Sequence, residues 1–358
     1  MIIVLKPRIS RKEERSVLKE IRKLGYIPHV MRGVARTVIG AIGDELTHAN
    51  LETLVTQFPR AVESVTPIQK RYKLVSREAH PANSTVRVRE HVIGGRQFHV
   101  MAGPCSVESE KQLLATAEAV KAAGATFLRG GAFKPRTSPY EFQGLGEKGL
   151  KLLDKARRAT GLAVITELLS ENHAEMVAEY TDIIQIGARN SQNFQLLIAA
   201  ARTGKPVLLK RGLSMRIEEW LLAGEYVLAN ENPNLMFCER GIRTFETYTR
   251  NTLDLSTIPI IKRESHCPIV IDPSQGAGRA DLVAAMCNGA VAMGADALLI
   301  EVHPNPAEAW SDGAQQLSLD GFAKLMQELK PFNAAAGREQ ALSVKSAKGV
   351  KILNHGLR

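Results

Sequence analysis

Aromatic residues make up only 5% of the 358 positions, and cysteine occurs four times, as Cys105, Cys238, Cys267 and Cys287. No pair of cysteines has CxxC spacing, which argues against a disulfide framework and against a structural zinc site. No apolar run approaches the roughly 20 residues needed to cross a bilayer, so no membrane partner is expected. The opening MIIVLKPRISRKEER places its apolar part before its basic part, the reverse of a secretory signal; the expected compartment is the cytoplasm. The formal net charge is +10, but the cations are dispersed and form no stripe. That pattern disfavours nucleic acid and suits a small anionic substrate. Part of the excess is local, because Lys345, Lys348, Lys351 and Arg358 follow Glu339 with no acid among them.

The length suits one domain of about 250 residues with a small one beside it. Apolar periodicity over residues 1–70 predicts a strand (Ile2 to Leu5), helix (Arg11 to Leu24), two strands (Ile27 to Arg32, Thr37 to Ile42), helix (Leu51 to Phe58) and strand (Val62 to Thr66). This βαββαβ order is that of the ferredoxin-like split βαβ motif. Residues 71–95, polar and containing Pro81, are expected to be a linker, and 333–358 a mobile basic extension. Over 96–332, eight apolar runs (FHVMAG, ATFLRG, LAVITE, DIIQIG, PVLLKR, LMFCER, PIVIDP, ADALLIEV) alternate with amphipathic helical patterns such as Lys111 to Ala123 and Leu282 to Met293. Strands apolar throughout imply a parallel sheet covered by helices. Eight such units predict an α/β fold, a (β/α)8 TIM barrel, with its chemistry at the C-terminal strand ends.

In order, those ends present Cys105, Arg129, Glu167, Arg189, Lys210, Arg240, Asp272 and Glu301. Any one of them alone is readily explained as a solvated charge at a strand exit. Together, four cations converging on one mouth would repel one another without an anion among them, and guanidinium forks match phosphate and carboxylate oxygens. The loop GGAFKPRTSPYEFQGLG adds Lys134, Arg136, Thr137 and Ser138, stiffened by Pro135 and Pro139; it reads as a second phosphate site or as a proline-braced surface turn. Glu167 and Asp272 are candidates for orienting Lys210 or a water, with a role as ion-pair partners as the alternative.

The motifs AGPCS, RGGAFKPRTSPY, IGAR, LLKRG, CERG, IDPS, EVHP and WSDGAQ resemble those of the type Iβ 3-deoxy-D-arabino-heptulosonate 7-phosphate (DAHP) synthases, from about Met101 to Leu329, with a fused front domain also typical. The resemblance implies condensation of phosphoenolpyruvate with erythrose 4-phosphate, the entry to the shikimate pathway and aromatic amino-acid biosynthesis. It implies that Arg129, Lys134, Arg189, Lys210 and Arg240 hold phosphoenolpyruvate, with Gly187 and Ala188 beside Arg189 in the IGAR match. Arg136 and Thr137 of the KPRTS match, between Pro135 and Ser138, are expected to hold the aldose phosphate. Lys134, Glu167 and Asp272 are the expected catalytic groups. It also implies a divalent metal ion (Mn, Co, Zn or Fe) on Cys105, Glu301 and Asp312. The family's fourth ligand is the His of DPSH, but this chain reads IDPSQGAG and places Gln275 there.

A neutral amide oxygen binds such ions less tightly than an imidazole nitrogen. Three accounts stay open: weak ligation by Gln275, substitution by His303 two residues beyond Glu301, or catalysis with the metal dispensable. Two rival functions also stand. One is 3-deoxy-D-manno-octulosonate 8-phosphate synthesis from arabinose 5-phosphate, and the other is a non-catalytic phosphometabolite-binding barrel. The front domain, with no evident nucleophile or metal cluster, is expected to bring feedback control by an aromatic amino acid, and a homo-oligomer is expected. Neither the effector nor the oligomeric state is legible in the sequence.

Overall fold

The computed structural model describes residues 1–32, 36–43, 49–66 and 71–341. Two compact units emerge, Met1–Ala82 with Glu264–His266, and the rest of the chain from Asn83 onward. The first contains β1 (Ile2–Leu5), α1 (Arg11–Lys23), β2 (Ile27–Arg32), β3 (Thr37–Ile42), α2 (Ala49–Glu52), α3 (Leu54–Gln57) and β4 (Val62–Thr66). Its sheet runs β2-β3-β1-β4, antiparallel at every pairing, which is the ferredoxin-like arrangement. A reciprocal capping box starts α1: Ser10 Oγ accepts from the Glu13 amide at 3.2 Å, and Glu13 Oε2 accepts from the Ser10 amide at 2.9 Å. Val17 and Ile21, one turn apart, put its apolar face onto Ile3, Leu5 and Ile39. The single helix expected over Leu51 to Phe58 is instead two separate turns. They part at Thr53, where a β-branched side chain is a poor helix former.

The second unit opens with a hairpin, β5 (Val86–Val88) and β6 (His91–Ile93). The barrel follows: β7 (Gln97–Gly103), α4 (Glu110–Ala122), β8 (Phe127–Arg129), α5 (Glu147–Thr160), β9 (Ala163–Leu168), α6 (Ala174–Tyr180), β10 (Ile183–Ile186), α7 (Phe194–Arg202), β11 (Val207–Lys210), α8 (Ile217–Ala229), β12 (Leu235–Glu239), α9 (Thr257–Glu264), β13 (Ile269–Ile271), α10 (Pro273–Ala277), α11 (Ala280–Ala292), β14 (Ala297–Glu301), α12 (Leu319–Ala335) and β15 (Glu339–Gln340). Strands β7 to β14 pair in sequence and in parallel, and β14 closes on β7 from Ala297↔His99 to Glu301↔Gly103. The strands are buried along almost their whole length, as two covered faces require. Among the described residues no helix is long and apolar enough to cross a membrane.

Two expectations are corrected. The span 71–95 is not all linker: Val86, Val88 and Ile93 share one apolar cluster with Phe127, Ile165, Leu208 and Val270 inside the barrel, so the hairpin plugs its floor. The alternation in VRVREHVI marks this half-buried ribbon, and Arg89 makes the tight turn at φ 53°. Likewise 333–341 is no loose extension. α12 buries Phe322, Leu325, Met326, Leu329 and Asn333, and β15 joins β7 in parallel beside Gln97 and Phe98. The remainder of the expected extension, 342–358, lies outside the described residues.

Shortening the hairpin plug tests its weight. Ile93→Ala, at a fully buried site, is expected to destabilise the barrel by about 2–5 kcal/mol, read as a lower urea midpoint of the barrel transition; an unchanged midpoint would show that the floor does not depend on the hairpin.

Candidate active site at the barrel mouth

A cavity of about 320 Å³ opens at the C-terminal ends of the barrel strands. Its walls hold seven cations (Lys134, Arg136, Arg189, Lys210, Arg240, Arg243, Arg250) and three carboxylates (Glu141, Glu167, Asp312). Pro135, Thr137, Gly187, Ala188 and Gln275 line it as well. The barrel therefore brings most of the sequence-predicted residues into one space, and that space has an excess of positive charge.

The cations differ in how far they are neutralised. Lys210, at the end of β11, is fully buried and donates to Asp272 Oδ2 at 2.6 Å. Asp272 in turn accepts from the Gln275 amide through Oδ1 at 2.9 Å, capping α10. Both Asp272 oxygens are thus engaged, which suits it to orienting Lys210. Arg136 pairs with Glu141 at 2.8 Å, which raises its pKa. Arg240 and Arg189 have no ion pair among the described residues: Arg240 bonds the neutral Gln275 Oε1 at 3.1 and 3.2 Å, and Arg189 bonds Thr137 Oγ1 at 3.4 Å. Burial lowers the Arg240 pKa, against the pull of Asp272, yet guanidinium stays charged throughout the working range of a protein. Arg243, exposed in the cavity wall, also has no ion pair among the described residues, so three guanidinium groups are ready to take an anion.

Arg129 and Ser138 stand elsewhere than expected. Arg129, buried at the end of β8, bonds Glu301 Oε1 at 2.9 Å and the Pro104 carbonyl at 2.8 Å; it backs the site and does not line the cavity. Ser138 stitches its own loop, its amide donating to Glu141 Oε2 and its hydroxyl accepting from the Tyr140 amide, each at 3.3 Å.

Glu167 projects into the cavity from β9. Burial raises its carboxyl pKa, opposed by Lys134, Lys210 and Arg129, and Gln185 donates to its Oε2 at 3.4 Å. The space it occupies exists because position 187 is glycine: a Cβ there would lie 1.9 Å from Glu167 Oε1.

Cys105, Glu301 and Asp312, of which Asp312 lines the cavity, meet with one donor atom from each lying within 4.8 Å of the others. A sulfur and two carboxylate oxygens at that separation fit a divalent cation. As described, burial and then the Glu301 charge push the Cys105 thiol up to about 11; the thiol donates to Asp312 Oδ2 at 3.3 Å and accepts from Lys134 Nζ at 3.0 Å. Burial works against the Lys134 ammonium, but the neighbouring Cys105 and Glu301 outweigh it and keep it protonated. Burial likewise raises the Asp312 pKa, and Arg250, at 3.2 Å, together with Lys134 brings it below the usual carboxylate range. Asp312 sits at φ 48°, in the left-handed region that Asp tolerates better than most side chains.

The two side chains expected as a fourth ligand have other partners in the structure. Gln275 Oε1 faces Arg240 and Lys210. His303 faces away: its Nε2 lies 3.1 Å from Glu108 Oε2, and its Nδ1 accepts from the Asn305 amide at 3.1 Å. Glu108 also accepts from the Trp310 amide at 2.9 Å, and so braces the turn that presents Asp312. Sequence reading missed this bracing, together with Arg243, Arg250, Asn251 and Gln185. Only Gln185 left a signal, a lone amide inside the apolar run IIQIG.

Residues 78–334 match the model of the DAHP synthetase I family, and residues 1–70 match the DAHP synthase ferredoxin-like domain. The chain belongs to the DAHP synthetase I family. Phospho-2-dehydro-3-deoxyheptonate aldolase of Thermotoga maritima is 49% identical over 94% of this chain and 99% of its own length. A crystal structure bearing that name, from the same organism, superimposes with a TM-score of 0.76 at 48% identity, covering 95% of this chain and 98% of that one. By contrast, 2-dehydro-3-deoxyphosphooctonate aldolase of Syntrophotalea carbinolica is 33% identical over 70% of this chain and 96% of its own. A divalent metal is general in the DAHP synthetase family, and the three-donor cluster offers it a place.

The cluster makes a spectroscopic prediction. Co(II) added to chelated protein is expected to give a thiolate-to-metal absorption that Cys105→Ser abolishes, and Asp312→Asn is expected to weaken Co(II) about tenfold or more. Absorption unchanged in Cys105→Ser would place the ion elsewhere.

Proposed function

We infer that this chain is a DAHP synthase, condensing phosphoenolpyruvate with erythrose 4-phosphate to give 3-deoxy-D-arabino-heptulosonate 7-phosphate and phosphate at the first step of the shikimate pathway. The observation that carries the reading is the cavity itself. Cations with no carboxylate partner (Arg189, Arg240) stand beside Lys134 and Lys210, and a second cationic point, Arg136 with Thr137, stands on the loop after β8. That layout suits two phosphorylated substrates, one of which also carries a carboxylate.

In this reading Lys134, Arg189, Lys210 and Arg240 hold phosphoenolpyruvate, with Arg129 supporting from behind through Glu301, and Arg136 and Thr137 take the aldose phosphate. C3 of the enol forms a bond to the aldehyde carbon, whose oxygen takes a proton to become a hydroxyl. Water adds at C2, and the resulting tetrahedral centre loses phosphate by C–O cleavage to leave the ketone, its hydroxyl proton leaving with the phosphate or passing to solvent. Lys134 is an ammonium within the cavity, in reach of the developing alkoxide, and so serves both to stabilise it and to supply the proton. Glu167, held by Gln185 across from the cations, is the group that orients the attacking water and accepts its proton. Cys105, Glu301 and Asp312 would hold a divalent cation, which would supply Lewis-acid polarisation of the aldehyde.

Two features count against the octulosonate alternative: the Syntrophotalea relative of that name covers 70% of this chain against 94% for the DAHP relative, and the front domain has its own counterpart in DAHP synthases. Retention of Cys105, Glu301 and Asp312 beside the cationic wall counts against a non-catalytic barrel. The front domain is read as the seat of feedback by an aromatic amino acid such as Tyr or Phe. Self-association into a homo-oligomer belongs to the same reading and is supported by the exposed Phe194 and Tyr226, stacked 4.4 Å apart. Four buried cysteines, none of them in a disulfide among the described residues, suit the cytoplasm.

Phosphoenolpyruvate consumption tests the whole. Turnover is expected with erythrose 4-phosphate at more than ten times the rate with arabinose 5-phosphate; the reverse preference would sink the assignment. Glu167→Gln is expected to lower kcat at least tenfold. Because burial raises the Glu167 pKa above its ordinary 4.5, wild-type activity should fall as pH drops through that raised value, and the variant's residual activity should lack that limb. Deleting Met1 to Arg71 is expected to leave turnover and remove inhibition by Tyr and Phe; inhibition that persists would place the effector site on the barrel.

A further inference from the structure

Position 275 is where this chain departs from the ligand pattern of the family, and the surroundings of Gln275 give it a different task. Its backbone is fixed from both sides: the amide donates to Asp272 Oδ1 at 2.9 Å, and the carbonyl accepts from Asn251 Nδ2 at 2.9 Å. The next residue, Gly276, lets the loop after β12 come close, since Gly241 and Gly276 approach to a distance that leaves no room for a side chain on the former. The side-chain oxygen of Gln275 then accepts from Arg240 Nε at 3.2 Å, from Arg240 Nη2 at 3.1 Å and from Lys210 Nζ at 3.4 Å. Arg240 is buried and has no carboxylate partner among the described residues. The amide oxygen orients its planar fork without neutralising it, so the full positive charge remains for a ligand. A carboxylate in the same place would cancel that charge. An imidazole has one lone pair in its neutral form, and a metal would occupy it, leaving none for the cations.

We propose that Gln275 is a positioning residue of the anion site and not a metal ligand: its amide oxygen joins the Arg240 guanidinium to the Lys210 ammonium, aims both at the phosphate or carboxylate of the substrate, and leaves the metal to Cys105, Glu301 and Asp312 alone. This deepens the phosphoenolpyruvate reading and rests on it. Relative to an imidazole at this position, the arrangement gives up metal affinity and gains a rigid, fully charged anion cradle.

The test compares full-length wild type, Gln275→Ala and Gln275→His. Phosphoenolpyruvate and, separately, inorganic phosphate are titrated calorimetrically into chelated protein, and Co(II) is followed by its thiolate absorption. Gln275→Ala is expected to weaken phosphoenolpyruvate at least fivefold, to raise KM for phosphoenolpyruvate more than KM for erythrose 4-phosphate, and to leave Co(II) affinity within fivefold of wild type. Gln275→His is expected to weaken phosphoenolpyruvate in the metal-free protein and to tighten Co(II) at least fivefold. The proposal is overturned if Gln275→Ala, folded by its Tm, binds phosphoenolpyruvate within fivefold of wild type or loses more than fivefold in Co(II) affinity. The substrate reading fails differently. A wild type that takes inorganic phosphate but neither binds nor consumes phosphoenolpyruvate would sink it, and the phosphate affinity of Gln275→Ala would then decide the role of Gln275 by the same fivefold criterion.

Discussion

Positive charge gathered in one place without being cancelled is the constraint on which the rest of the site depends. Seven cations around a cavity of about 320 Å³ repel one another, and in a partly dry setting that repulsion is far larger than in water. The barrel manages it by depth. Lys210 and Arg129, buried deepest, each lean on a carboxylate, Asp272 and Glu301; Arg189 and Arg240, which line the cavity, do not. A buried ion pair contributes little net stability once desolvation is counted. The value of the Lys210–Asp272 pair is therefore orientation: it holds an ammonium in one place against the repulsion of its neighbours.

The supporting shell follows from the same constraint. Asp272 binds Lys210 with one oxygen and caps α10 with the other, so a single residue sets both the cation and the direction of Gln275. Across the mouth, Glu108 gathers His303 and the Trp310 amide, and Gln316 bridges the Cys105 amide to the Ser311 carbonyl. These contacts fix loop segments that have little regular structure of their own. A backbone held at φ 48° at Asp312 is stable only where neighbours over-determine it.

The barrel was legible in the sequence because its strands are covered on both faces and therefore apolar throughout, and because a reactive or charged side chain stands at or just after each run. The strand-end residues were legible for the same reason. Contacts formed by side chains reaching across the mouth were not. Arg243 and Arg250 come from an irregular loop with no periodicity, and the link from Arg250 to Asp312 spans a separation that no local pattern encodes. The hairpin over Val86 to Ile93 was misread because its polar flanks resemble a linker, although its alternation of apolar and polar residues was present. Position 275 was legible as a departure from a motif, yet its orientation depended on Asp272 and Asn251, one in the adjacent turn and one 24 residues away.

The donor cluster and the cationic wall also depend on different parts of the fold. Cys105 follows β7, whereas Glu301 ends β14 and Asp312 lies just beyond it, so the cluster straddles the seam at which the barrel closes. That seam is held by the β14–β7 ladder and extended by the Val302 amide donating to the Gly103 carbonyl at 2.9 Å. Lys210, Arg240 and Gln275 come from β11 to α10, away from the seam. A local opening between β7 and β14 would scatter the three donors while leaving the anion cradle assembled. Gln275 Oε1 faces Arg240 and Lys210, and Lys134, which lines the cavity, donates to Cys105 Sγ and to the Cys105 carbonyl. One ammonium therefore touches both the donor cluster and the cavity, and Arg250, which lines the cavity and pairs with Asp312 at 3.2 Å, makes a second such link.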